Sequence, residues 1–506
     1  MRSGINRRDF LRLAGTLPLS LAAPRWTRTL SGVAGQKNVI VVVFDAFSAF
    51  DISLYGYKRD TTPNLNRLAK KAIVYHNHYA GSNFTTSGTA SLLTGTLPWT
   101  HRAIAKNGKV APSFLTRTIF DVFHDYYRIA YTHNEWAFTL LNQFHHDIDE
   151  LIARQRLYLK TYDSLLSTLF GNDEDIATVS WARDVRLDSG FAYSLFFSRF
   201  HDAFPNREVA RLQPEFPRGL PSSGNDDAFL LEQAVDWIGD ALTTLSQPFL
   251  GYFHFLPPHA PYNPPLEYAD RFKEDGYRPV DKPVDVFAID GVVKYPFRFR
   301  TQYDEFILYQ DREFGRFYDR LGQAGLLENT WLILTSDHGE MFERGIVGHS
   351  ANVLYEPLLR IPLIIFEPGR TQGVDVYAPT SALDILPTLA HLTGHPVPSW
   401  VEGTILPPFA AENVDSTRPL YSMRATRNKP QAPLTEASLA LVRGRYKLHY
   451  YFGYSDLHVP DVIKLFDIQA DPEELTDLFA VEKQVGEALL SELKEKLRVV
   501  NQPYVR

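Results

Sequence analysis

Asn38-Val39-Ile40-Val41-Val42-Val43-Phe44-Asp45 is an unbroken apolar, largely β-branched run closed by a carboxylate. A run without polar alternation belongs to a strand covered on both faces, the condition of a central parallel strand flanked by helices. Asp45 then stands at the carboxyl end of that strand, where open α/β sheets gather their ligands. Outward from this stretch, strand-like runs recur at Ala72–Tyr75, Tyr127–Thr132, Phe249–Phe255, Thr330–Thr335 and Pro362–Phe366. Helical patterns separate many of them. Thr62 and Pro63 open one that runs to Lys71, with Thr62 as N-cap, and others span Asp226–Leu242, Thr301–Leu321 and Ser381–Leu392. The alternation predicts an α/β fold, a mostly parallel sheet sandwiched by helices.

Residues 137–222 interrupt it with helical runs rich in aromatics (Phe191, Tyr193, Phe196, Phe197, Phe200), followed by a proline-rich link at 214–221. This insertion is expected to pack as a helical cap over the sheet. A lid on a substrate pocket or a contact with lipid is the alternative.

The 506 residues suffice for a large core and about three domains or fewer. A net charge of -7 gives no support to a nucleic-acid partner. The absence of cysteine excludes disulfides, thiolate metal sites, cysteine nucleophiles and any cofactor made by modifying a cysteine. Residues 1–34 read as a targeting segment: Arg7-Arg8-Asp9-Phe10-Leu11 precedes an apolar, small-residue run too short to span a bilayer. The pattern resembles a twin-arginine signal, so the chain is expected to meet that export machinery and reach the periplasm or the medium folded. No later run is long and apolar enough for a transmembrane helix.

Chemistry concentrates in three places. Asn83-Phe84-Thr85-Thr86-Ser87-Gly88 crowds hydroxyls at what reads as the start of a short helix ending at Gly95, where free N–H groups and the helix dipole favour an oxyanion. Ser336-Asp337-His338-Gly339-Glu340 follows the buried run Trp331–Thr335, so a carboxylate and an imidazole can turn together toward one ion. With Asp45 and the Thr85 hydroxyl, Asp337 and His338 make a four-member candidate metal site. His254, His259 and His349 are read as lying in loops after strands, available as proton donors or charge stabilisers.

These blocks, in this order, resemble the sulfatase branch of the alkaline phosphatase superfamily from about residue 38 to about 480. Asn38–Asp45 is similar to the family's first strand and metal aspartate. Leu92-Leu93-Thr94-Gly95 with Pro98 and His101 resembles the block after the nucleophile. Pro258-His259-Ala260-Pro261, Thr335–Glu340, Leu354-Tyr355-Glu356-Pro357 and Leu383-Asp384-Ile385-Leu386-Pro387-Thr388 resemble further signature blocks. Val442–Leu448, Leu465-Phe466-Asp467 and Asp471–Leu475 resemble its small C-terminal α+β subdomain. The resemblance implies a catalytic domain over 35–410, including the insertion, and a subdomain over 411–506.

The departures direct the chemistry. Counting back from Leu92–Gly95, the family's Cys or Ser, which is oxidised to formylglycine, is Thr85. Threonine cannot become formylglycine, because its Cβ carries a methyl group. The next aspartate is Ala46, the sulfate-binding lysine and histidine are Asn134 and Trp136, and the late lysine is His349. The resemblance therefore implies one divalent ion (Zn, Mn or Ca) on Asp45, Thr85, Asp337 and His338, without formylglycine. Thr85 would be the nucleophile, and His259 or His349 the group that protonates the leaving oxygen. The expected activity is hydrolysis of a small-molecule, glycan-linked or lipid-linked phosphate, phosphonate or sulfate ester. A phosphoethanolamine- or phosphoglycerol-type transferase acting on envelope glycans or lipids, or a non-catalytic metal-binding homologue, are the alternatives.

Overall fold

The computed structural model describes residues 36–159, 207–223, 227–288, 296–410, 417–455, 457 and 461–505. The targeting segment and the aromatic run of the cap lie outside the described residues.

The main sheet contains β1 (Asn38–Phe44), β2 (Ile73–Tyr75), β3 (Tyr127–Thr132), β4 (Glu150–Leu151), β5 (Phe249–Phe255), β6 (Thr330–Thr335), β7 (Leu363–Phe366) and β8 (Val374–Val376). Their order is β8-β2-β7-β6-β1-β5-β3-β4. β1 lies at the centre, parallel to β5 and β6, with Val43 opposite both His254 and Thr335. β7 runs antiparallel to both neighbours, so the sheet is mostly but not wholly parallel. The helices that concern the site are α1 (Pro63–Leu68), α2 (Thr85–Thr94), α3 (Glu135–Gln143), α4 (Leu231–Leu242), α5 (Pro296–Gln323) and α6 (Ile385–Leu392).

Why β1 lacks polar alternation is plain from its two faces. Ile40, Val42 and Phe44 enter a core with α1, α4 and α5, whereas Val39, Val41 and Val43 enter a second core with α2, α3 and α6. Each fully buried valine or isoleucine contributes about 1.5–3 kcal/mol relative to exposure, so neither face tolerates a polar residue.

Element ends differ from expectation where distant groups intervene. Thr62 holds the N-cap position of α1, but its hydroxyl meets Ser53 Oγ at 2.8 Å. The first N–H groups of that helix, from Asn64 and Leu65, donate instead to Asp311 of α5 at 2.8 and 2.9 Å. α4 begins at Leu231 rather than Asp226, and α5 extends the predicted helix at both ends.

A second, antiparallel sheet follows, with strands β9 (Leu420–Arg424), β10 (Ala437–Arg443), β11 (Tyr446–Phe452) and β12 (Asp461–Asp467) paired in chain order. Helix α7 (Lys483–Asn501) covers one face, setting Leu489 and Leu493 against Leu439, Leu441 and Leu448. The other face meets the main body, with Ala440 and Val442 against Tyr79, Leu354 and Leu359. Among the described residues no helix is long and apolar enough to cross a membrane.

Candidate active site

Because β1 and β6 are adjacent, parallel and in register, their carboxyl ends deliver Asp45, Asp337 and His338 to one point. Ligand atoms of the three lie within 4.8 Å of one another, and all three residues are buried. His338 Nδ1 donates to the Gly339 carbonyl at 2.9 Å, which leaves the Nε2 lone pair facing the carboxylates. That Nε2 lies 3.5 Å from Asp45 Oδ1 and 3.6 Å from Asp337 Oδ2. Asp337 Oδ1 accepts backbone N–H groups from Ala46 (3.3 Å) and His338 (3.0 Å). Ala46 adopts φ 59, a left-handed conformation rare for residues with a Cβ, and the strained turn aims its N–H at Asp337.

Asp337 Oδ2 and Asp45 Oδ1 are buried without hydrogen-bond partners. Two orphaned carboxylate oxygens beside an imidazole lone pair would be expensive alone, and together they form the donor set of a divalent cation. The residues present therefore fit a metal ion. Burial would raise the Asp45 carboxyl, but His259, His254 and His338 outweigh it and hold the group well below the usual carboxylate range. The Asp337 carboxyl is pushed up by burial and then by the charge of Asp45.

Thr85 is the first residue of α2, after the extended Phe84, and Gly95 ends that helix at φ 67 with its N–H on Ser91 O. Helix and metal loop press together at Gly88, where a Cβ would stand 2.2 Å from the Asp337 carbonyl oxygen. This approach sorts three adjacent hydroxyls. Thr85 Oγ1 lies 3.3 Å from His338 Nε2, whereas Thr86 Oγ1 accepts from Asn107 N at 3.2 Å and Ser87 donates to Ala103 O at 2.6 Å.

Above Thr85 opens a cleft of about 420 Å³ that includes His259, Tyr262, Glu340 and His349. His259 Nδ1 donates to Ala260 O at 2.6 Å, and His349 Nδ1 is held by Glu340 Oε1 at 2.9 Å. Both rings therefore keep Nε2 for the cleft, and their centroids are 4.9 Å apart. Burial would lower the His259 pKa, but the charges of Asp45 and Glu340 raise it above the ordinary value, favouring the imidazolium. Tyr262 donates to Glu340 Oε2 at 3.2 Å, so both oxygens of that buried carboxylate are engaged.

Residues 37–395 match the family model "Sulfatase". The chain belongs to the sulfatase family. Within that family, residues 349–502 also match the model "N-sulphoglucosamine sulphohydrolase, C-terminal". A choline-sulfatase of Rhizobium meliloti is 27% identical over 469 residues, covering 88% of this chain and 82% of its own. An endo-4-O-sulfatase of Bacteroides thetaiotaomicron is 29% identical over 328 residues, covering 62% of this chain and 63% of its own. In fold, the chain is similar to the phosphonate monoester hydrolase of Agrobacterium radiobacter, with a TM-score of 0.64 at 17% identity over 93% of this chain and 96% of that one.

This sulfatase-family site also contains groups whose placement the sequence did not show. Asn134 donates to Asp45 Oδ2 at 2.5 Å and approaches Thr85 Oγ1 at 3.5 Å, while its Oδ1 caps α3. The resemblance sets Asn134 in place of the family's sulfate-binding lysine, but nothing local tied it to Thr85. His254 is not in a loop: it sits inside β5, with Nε2 3.2 Å from Asp45 Oδ2, because register brings it beside Val43. Arg424, from β9, bonds Asn83 Oδ1 at 3.1 Å and the carbonyls of His349 and Ser350 at 3.2 and 2.8 Å. The C-terminal sheet thereby braces the approaches to both Thr85 and His349.

Proposed function

We propose that this protein is an exported, metal-dependent hydrolase of phosphate, phosphonate or sulfate esters that works through a covalent intermediate on Thr85. The observation that carries the reading is the Thr85 hydroxyl, alone among its neighbours in facing the Asp45–Asp337–His338 cluster, 3.3 Å from His338 Nε2. Similarity to a choline-sulfatase and a phosphonate monoester hydrolase supports sulfur and phosphorus esters as the substrate range.

Asp45, Asp337 and His338 would hold a dication, Zn²⁺ or Mn²⁺ by its imidazole ligand or Ca²⁺ by its oxygens, whose Lewis acidity makes the threonine alkoxide accessible near neutral pH. Thr85 Oγ, its proton released to solvent, forms a bond to phosphorus or sulfur as the bond to the leaving oxygen breaks. His259 or His349 gives an Nε2 proton to that oxygen, and both rings offset charge on the non-bridging oxygens. Water then attacks the Thr85 ester, giving one proton to the imidazole, and the departing Thr85 oxygen regains from solvent the proton it released. Asn134 steadies Thr85 and Asp45 throughout.

The test is turnover of aryl sulfates, aryl phosphate mono- and diesters and aryl phosphonates. Thr85→Ala should lose on the order of 10³-fold or more in kcat with its fold intact, and Thr85→Ser should retain part of the activity. Thr86→Ala should stay within about threefold, as expected for one hydrogen bond directed away from the metal cluster, to Asn107 N. A slow substrate should add mass to the peptide containing Thr85. Activity in Thr85→Ala would end the mechanism. We propose in addition that 35–410 forms the catalytic domain and 411–506 a supporting subdomain. The paired Arg7 and Arg8 support folded export, and changing both to Lys should leave the precursor in the cytoplasm.

A further inference from the structure

The cleft over Thr85 has no Lys or Arg among its described lining residues. This is unusual in a site for an anionic ester, and the walls away from the metal cluster carry other chemistry. Trp136 is half-buried, and Phe299, in the first turn of α5, is 41% exposed. Glu135 is exposed on the same cleft, and its carboxylate makes no hydrogen bond or ion pair among the described residues. The other lining acid, Glu340, is consumed by His349 and Tyr262. Position is fixed by Asn134, whose Oδ1 accepts the Trp136 N–H at 2.7 Å while its Nδ2 reaches Asp45 and Thr85. Glu135 and Trp136 therefore follow directly after a side chain that reaches Thr85, and with Phe299 they line the same cleft.

We propose that the leaving group accepted here is a cationic alcohol, so that the substrate is a zwitterion with its anionic ester at Thr85 and its ammonium against Trp136, Phe299 and Glu135. The proposal rests on the hydrolase reading above and names the substrate class within it. Aromatic faces attract an ammonium through their quadrupole, and an unpaired carboxylate adds a direct charge. The same wall acts against polyanionic glycans, because a second sulfate or a uronate would face Glu135 with no described cation to pair it. A cleft of about 420 Å³ suits a small alkylammonium ester.

The experiment compares two esters of one acid, 2-(trimethylammonio)ethyl and 3,3-dimethylbutyl, which share a shape and differ in charge. With the metal-loaded full chain, kcat/KM for the ammonium ester should exceed that for its neutral isostere by about tenfold or more. That ratio should fall toward one in Glu135→Gln and, separately, in Trp136→Leu. Presenting the same headgroup on a diacyl phospholipid in mixed micelles tells a lipid source from a soluble one, and a charge preference on either carrier supports the proposal. Equal rates for the isosteres, a preference for the neutral one, or faster cleavage of a disulfated oligosaccharide overturns it. If aryl esters turn over while the isosteres do not differ, this inference falls and the hydrolase reading stands. If no ester turns over, the hydrolase reading falls and this one with it.

Discussion

Two buried polar clusters, built from similar residues, answer burial in opposite ways. Beneath the C-terminal sheet, Lys447 Nζ lies 2.9 Å from Glu356 Oε1 and 3.0 Å from Glu474 Oε1. Glu474 Oε2 accepts the Glu356 N–H at 2.7 Å, and His449 Nε2 stands 3.3 Å from Glu474 Oε1. Both carboxylates there lie within ion-pair distance of the Lys447 ammonium, although Glu474 Oε1 and His449 Nε2 make no hydrogen bond, and Lys447 with His449 outweighs burial to hold the Glu474 carboxyl far below its ordinary range. At the strand ends, Asp45 and Asp337 are equally buried, but among the described residues the only basic side chains near them are histidines, with no lysine or arginine paired to either, and Asp337 is pushed up by burial and its neighbour. A cluster neutralised by its own lysine can hold two parts of a protein together, whereas carboxylates that lack such a cation fit the donor set of an added ion.

The comparison can be broken by removing one member from each cluster. Asp337→Asn should strip the metal and lower turnover by on the order of 10³-fold or more, read by elemental analysis and aryl ester hydrolysis. In the presence of a chelator its melting temperature should equal or exceed that of the wild type, since carboxylate repulsion is relieved. A chelated variant that melts clearly lower would show that Asp337 is a structural group like Glu474. Lys447→Met should do the reverse. It leaves Glu356 and Glu474 buried without their cation, which should cost about 3–5 kcal/mol in denaturant unfolding. Turnover per folded molecule should remain within about threefold, and a loss of activity without a loss of stability would merge the two clusters.

A third test sharpens the contrast through pH. Burial pulls the His449 imidazole down from 6.5 to about 4. The unfolded chain therefore binds a proton near 6.5 that the folded chain refuses until about 4, so stability is full above that window and falls as the pH drops through it. The loss attributable to His449 is on the order of 3 kcal/mol, and His449→Gln should flatten the unfolding free energy between these pH values. The Glu474 contribution has the same sign but lies lower, being present above the ordinary carboxylate pKa and lost on further acidification. An unchanged pH slope in His449→Gln would place the titrating group elsewhere.

Much of the architecture was legible along the chain. β1, β3, β5 and β6 have the extents that their apolar runs predict, because a strand buried on both faces must be apolar throughout. The two-residue β4 and three-residue β8 escaped notice, since short edge strands carry too few residues to show a period. The reversed direction of β7 was invisible for another reason: apolar composition is the same read either way. Asp45, Asp337 and His338 stood out because a carboxylate or imidazole directly after a buried run is a local signal.

Hydrophobic patterning along the chain thus carried the set of buried strands, their helical partners and the reactive residues at strand ends. These depend on hydrophobic period and side-chain chemistry, which act within a few residues. The fold adds what no count along the chain could: Thr85 Oγ1 beside His338, His254 entering from within a strand, and Asn134 and Arg424 reaching the same place. Those outcomes follow from strand register and from contacts such as Gly88 against the Asp337 carbonyl, where segments far apart in the chain approach to van der Waals distance and no local pattern records which atom will face which.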